Sequence, residues 1–115
     1  MALTRDFKAT VKARAENDPE FRAALLEEAV DAFVQGDVDA GKIMLRDYVN
    51  ATVGFEPLAK AVKKEPKSLM RMLSSSENPT TKNLFQVISH LRKKAGVNLK
   101  VVRVEASRKK HELAH

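Results

Sequence analysis

The sequence predicts an all-α domain that ends in one short strand. Three observations carry that prediction. Apolar residues recur at three- and four-residue spacing from Phe7 to Leu91, and capping residues and glycines punctuate the pattern at helix-length intervals. Alternation with β-branched residues begins only after Gly96. A chain of 115 residues, 43% hydrophobic and 31% charged, is globular in composition and has room for one domain with a modest core.

Taken in order, Thr4 can cap a first helix that carries Phe7 and Val11 on one face and frays near Asn17. Asp18-Pro19-Glu20 starts a second helix: the aspartate accepts from the orphan amides, the proline sits where its missing N–H costs nothing, and the glutamate faces the positive end of the dipole. Phe21, Leu25, Leu26, Ala29, Val30 and Phe33 form its apolar face, and Gly36 stops it. Asp37 opens a third helix in which Val38, Leu45, Val49 and Val53 share a face, with Gly54 as its expected end and Gly41 as a local weakness. Short helices are expected from Phe55 to about Lys63 and from Pro66 to Leu73, and a longer one from Thr81 to Lys94. The longer helix carries the buried stripe Leu84, Val87, Ile88, Leu91 and closes at Gly96. Residues 97–106, centred on Val97 to Val104, read as a strand. A lone strand in a helical chain lacks an edge to pair with, so pairing with its copy in a homodimer is expected. Residues 107–115 lack core residues and are expected to be a mobile basic tail.

The formal charge of +6 is unevenly placed. Residues 1–54 carry seven basic and ten acidic side chains, whereas residues 55–115 carry fourteen and five. A one-sided basic excess attracts polyanions, which points to nucleic acid or acidic lipid. With no cysteine, disulfides, thiolate zinc sites and thiol nucleophiles are excluded. No apolar run is long enough to span a membrane, and the first twelve residues are charged where a signal peptide would be apolar, so a cytoplasmic protein with no membrane partner is expected.

The informative stretch runs from Phe55 to Leu73. Two short helices meet there at a turn, Lys63 to Glu65, with Ala59 as the small residue at their crossing. Leu58, Val62, Leu69, Met72 and Leu73 face inward, leaving Lys67, Ser68, Met70 and Arg71 to project outward. This is the pattern of a helix-turn-helix whose second helix enters the major groove of double-stranded DNA. Lys67 and Arg71 can donate to guanine O6 and N7, Ser68 to base or phosphate, and Met70 can meet a thymine methyl. Lys60, Lys63 and Lys64 are expected to flank the groove and meet phosphates. In the following loop and helix start, Ser74, Ser75, Asn78, Thr80, Thr81, Lys82 and Asn83 offer hydroxyls, amides and an ammonium for the same purpose, and plain turn and cap chemistry is the other reading of them.

From Gly54 to about Leu99 the sequence resembles the Cro/repressor-type helix-turn-helix family, and in particular its subfamily of addiction-module antidote proteins. The marks are Leu58-Ala59, Ser68-Leu69, Arg71 with Leu73, Ser74, the turn Asn78-Pro79-Thr80, and Leu84-Phe85-Gln86-Val87-Ile88. Arg5-Asp6-Phe7 and Asp18-Pro19-Glu20 resemble the subfamily's N-terminal pattern and extend the match over most of residues 4–99. The resemblance implies a lambda-repressor-like helical bundle with an N-terminal helical extension over 1–54, a DNA-binding core over 55–96 and the short C-terminal strand. It further implies an operator-binding autorepressor that neutralises a cognate RNA-cleaving toxin. Two positions depart from the family pattern: Lys63 and Lys64 stand where a glycine and an apolar residue are usual, and Pro66 opens the second helix without a donor.

Other strings imitate chemistry without its context. Gly36-Asp37-Val38-Asp39-Ala40-Gly41-Lys42 has the spacing of a phosphate loop, but Ile43 stands where a hydroxyl should bind magnesium and two aspartates would repel the phosphate. His111-Glu112-Leu113-Ala114-His115 matches a zinc-protease string, yet no residue follows it here to supply a third ligand, so a solvated tail is expected. His90 is expected at a helix boundary. No histidine is placed beside Ser74 to Ser76, so no catalytic, metal or cofactor site is expected. Single-stranded RNA is disfavoured by the sparse aromatics, five Phe and one Tyr. The acidic half offers a surface for a basic toxin, and a merely solubilising face is the alternative. Two other readings remain open at this level: a stand-alone regulator without a toxin, and a helical protein–protein interaction module with only non-specific DNA affinity.

Overall fold

A computed structural model of the chain describes residues 5–106, in which six helices follow one another: α1 (Arg5–Asn17), α2 (Pro19–Val34), α3 (Val38–Ala51), α4 (Phe55–Val62), α5 (Pro66–Met72) and α6 (Thr81–Ala95). The N-caps of α2 and α3 are those that the sequence announces, and Thr80 caps α6, the cap reading of that loop. Asp18 Oδ1 accepts from Phe21 N at 3.1 Å, Asp37 Oδ1 from Ala40 N at 3.1 Å, and Thr80 Oγ1 from Asn83 N at 3.1 Å. Thr4, the expected cap of α1, lies outside the described residues.

The core is one continuous cluster. Leu26 and Ala29 of α2 meet Leu45, Tyr48 and Val49 of α3, and these join Phe55, Leu58, Ala59 and Val62 of α4, Leu69, Met72 and Leu73 around α5, and Val87, Ile88 and Leu91 of α6. The N-terminal helices and the α4–α6 unit therefore share an interior, with α2 packed on both α3 and α6. Arg22 closes the entry to α2: its guanidinium donates to the Ala15 carbonyl at the end of α1. Arg14 also stacks over the Phe21 ring, 4.2 Å from its centroid.

The structure revises four expectations. The third helix stops at Ala51, three residues before Gly54, because the Thr52 backbone leaves the helical region at φ −122° and ψ −87°, while its Oγ1 still donates to Tyr48 O at 2.7 Å. Gly54, at φ 85°, instead opens α4 and donates its N–H to Val49 O. Val38 is exposed, so the buried face of α3 begins with Gly41 and Lys42. Gly41 has a packing reason: a Cβ there would lie 2.7 Å from the Phe33 ring, so the glycine lets α2 and α3 approach. Finally, no strand forms among the described residues. Residues 97–106 carry no regular hydrogen-bonded structure, since a strand exists only where a neighbouring edge supplies partners and the single chain supplies none. The tail 107–115, with the expected mobility and the His111–His115 string, lies outside the described residues.

No helix among the described residues is long and apolar enough to cross a membrane.

Candidate nucleic-acid interface

The corner between α4 and α5 is three residues long, and its geometry is set by one backbone conformation. Lys63 caps α4 in the left-handed region, at φ 59° and ψ 49°, and is the only non-glycine residue with positive φ among the described residues. Its N–H and that of Lys64 close onto Lys60 O and Ala59 O, ending the helix tightly enough for Glu65 to return in extended geometry and Pro66 to start α5. The lysine thus holds a backbone conformation that glycine adopts most easily. Gln86 of α6 reaches the same corner, donating from Nε2 to Val62 O at 3.4 Å.

Packing across the corner divides α5 into two faces. Leu69 and Leu73 are fully buried, Met72 nearly so, and all three rest on the side occupied by Leu58, Ala59 and Val62. At 100° per residue, Lys67, Met70 and Arg71 fall within one arc of about 100° on the opposite side, and all three are exposed. Ser68 sits at the margin of that arc, half-buried. Met70 shows nearly half of its surface to solvent, an apolar side chain set between two cations.

The flanking residues separate into two groups. Lys60, Lys63, Ser75, Asn78, Thr80, Thr81 and Lys82 are exposed, while Lys64, Ser74 and Asn83 are half-buried. Ser74 already has work: its Oγ donates to Arg71 O at 2.7 Å, closing the C-terminal turn of α5, and lies 3.2 Å from Ser76 Oγ. The Thr80 Oγ1 is engaged in the cap of α6, where it accepts from the backbone N–H of Asn83. What the cap leaves open is the start of α6, where Thr81 and Lys82 stand at the positive end of a 15-residue helix dipole.

One side chain that shapes this region lies within the phosphate-loop imitation of the sequence. Lys42 is 1% exposed on α3, and its Nζ donates to the Glu77 carbonyl at 2.6 Å with Asp39 Oδ1 at 3.6 Å. It runs through the interior and ties α3 to the loop between α5 and α6. The signal was present in the spacing, since Lys42 continues the stripe of Leu45 and Val49 and so falls on the buried face. His90 is half-buried on α6, a boundary position. Among the described residues, no group of three or more metal-ligating side chains comes together.

Among the described residues, the one displaced titration lies away from this surface. Burial pushes the Tyr48 phenol above its ordinary value of 10.0, opposed by the nearby Arg22 charge and a hydrogen bond with Thr52.

No protein-family model, no curated protein and no solved structure matches this chain.

Proposed function

We propose that the chain is a sequence-specific DNA-binding repressor in which α4 and α5 act as a helix-turn-helix. The observation that supports the reading best is the division of α5: Lys67, Met70 and Arg71 share an exposed arc backed by a fully packed apolar face, on the basic half of the chain. A rigid short helix offering cationic donors with an apolar contact between them has the chemistry of major-groove readout, with Ser68 at its edge. Lys60, Lys63, Lys64 and Lys82, together with Ser75, Asn78 and Thr81, supply the surrounding phosphate contacts. Ser74, Thr80 and Asn83 shape the loop that presents them.

The lambda-repressor-like bundle is part of this proposal, as is a homodimer that sets two reading helices on two half-sites. The C-terminal strand forms in that dimer, when a second copy supplies its edge. The antitoxin role rests on the resemblance of residues 4–99 to addiction-module antidote proteins. It assigns the acidic half, with Glu27, Glu28 and Asp31 exposed on α2, to a basic toxin.

The test is binding to DNA from the chain's own promoter against scrambled DNA at two salt concentrations. A preference of about 10³ or more that weakens as salt rises is expected. Arg71→Ala is expected to lose about 1–3 kcal/mol on the promoter with an unchanged far-ultraviolet spectrum. Equal binding to both DNAs would refute the repressor reading in favour of a protein-interaction module. Co-purification with the product of the neighbouring gene tests the antitoxin role separately.

A further inference from the structure

A cleft of about 350 Å³ opens where the last turns of α1, α3 and α6 meet the first turn of α2. Ala15, Ala51, Val53, Leu91 and Ala95 give it apolar walls, with Tyr48 among them, and Arg22, Lys94 and Glu16 bring charge to it. Helix C-termini by themselves would favour a cation, but each of these ends is already closed from within the chain. Arg22 Nη1 donates to the Ala15 and Glu16 carbonyls, Thr52 and Gly54 donate their N–H groups to Val49 O, and Gly96 and Val97 donate theirs to Lys93 O and Arg92 O. The groups left over are mainly cationic. The Nε and Nη2 donors of Arg22 have no partner among the described residues, nor has the exposed Lys94 ammonium. Glu16 is the single acidic residue along the cleft.

We infer that this cleft takes a small organic carboxylate with an apolar body, its charge held by Arg22 and Lys94 and its body laid against Ala51, Val53 and Leu91. Mostly apolar walls with a few convergent donors, in a volume of this size, have the chemistry of a small-ligand site. A guanidinium with one edge unpaired presents a planar fork that matches a carboxylate better than it matches a spherical anion. Because the other edge is tied to the end of α1, the fork is ordered before a ligand arrives, which lowers the cost of binding. A ligand seated there bridges α6 to the three N-terminal helices and stabilises the fold by mass action. No residue of α4 or α5 lines the cleft, so the site stands apart from the DNA reading and holds with or without an operator.

The experiment uses the full chain without DNA, at constant ionic strength, with isocaproate as the probe. Tyr48 is the only tyrosine and the chain has no tryptophan, so intrinsic fluorescence reads the wall of the cleft directly. A saturable change with half-saturation below about 1 mM is expected, together with a higher melting temperature. Isocaproamide, which lacks the charge, and isohexylamine, which reverses it, should each bind about tenfold more weakly or worse. Lys94→Gln should weaken isocaproate about two- to fivefold and Glu16→Gln should strengthen it by a similar factor, while Lys93→Gln, exposed on α6 outside the cleft, should leave it unchanged. Arg22→Gln should cost about tenfold or more, read beside the far-ultraviolet spectrum because Arg22 also closes α1. No saturation by about 10 mM, an amine that binds as well as the acid, or Lys94→Gln and Glu16→Gln variants that shift affinity in the same direction would each overturn the assignment.

Discussion

Lys63 concentrates two opposed demands in one residue. Its backbone must occupy the left-handed region to turn α4 into α5, which costs an L-residue with a Cβ roughly 1–2 kcal/mol. Glycine removes that cost but loses more chain entropy on folding, so Lys63→Gly should stabilise the fold by about 0.5–1 kcal/mol, read as a higher urea midpoint at unchanged slope. If the ammonium also meets a phosphate, the same variant should bind DNA more weakly and lose about one unit of salt slope. Gain in stability with loss of affinity would mark a lysine kept for its charge; a loss of both would mean that its side chain supports the corner. Sequence reasoning located this position only as part of the turn between two short helices. It could not supply the dihedral angle that the turn requires.

At the scale of elements, the loop between α5 and α6 depends on a residue from α3. Lys42 crosses the interior to the Glu77 carbonyl, so the helix that would present phosphate contacts is positioned partly by an N-terminal element. Two terms of similar size set the stability of Lys42→Met. Losing a charged hydrogen bond costs about 1.5–3 kcal/mol, while relieving a buried ammonium of its desolvation returns a comparable amount. The expected outcome is therefore a small change in global stability, below about 1 kcal/mol, with faster amide exchange confined to residues 75–78, measured by native-state hydrogen exchange. Exchange unchanged in that loop would show that Lys42 only fills space. The caps of α2 and α3 were legible from Asp18 and Asp37, since a cap needs only its own sequence neighbours, whereas Thr80 had two readings and the structure puts it in the cap of α6. The early end of α3 was not legible, because Thr52 and Gly54 act through contacts that become visible only with the turn in place.

For the molecule as a whole, Tyr48 gives a direct reading of the shared interior. It is the only tyrosine in the chain, which also lacks tryptophan, so absorbance and fluorescence titrations report this site alone. Burial raises its pKa above 10.0 in the folded state. Above pH 10 the unfolded chain releases this proton first, so stability present at neutral pH should decline as pH rises through the folded value. A phenolate titration with its midpoint above 10.0 in the native protein, returning toward that value in denaturant, is the expected result. A native midpoint at the ordinary value would contradict the packing of α3 against α1 and α2. The charge asymmetry between residues 1–54 and 55–115 belongs to the same scale: the two halves share one core while differing in sign, so the molecule can present an acidic face and a basic face at once.

The sequence by itself determined the all-α class, the order of six helices, most of their caps and the apolar faces of α2, α5 and α6. Those properties depend on residues within a turn or two of one another, and local spacing records them. The tertiary structure decided what distant residues do together: that Gly41 admits the Phe33 ring, that a lysine within a phosphate-loop imitation is a buried tie to Glu77, and that Gly54 closes the end of α3 onto Val49 O while also opening α4. It also decided that residues 97–106 find no edge within a single chain. A strand's hydrogen bonds belong to a pair, and alternation in one segment cannot say where the other half of the pair lies.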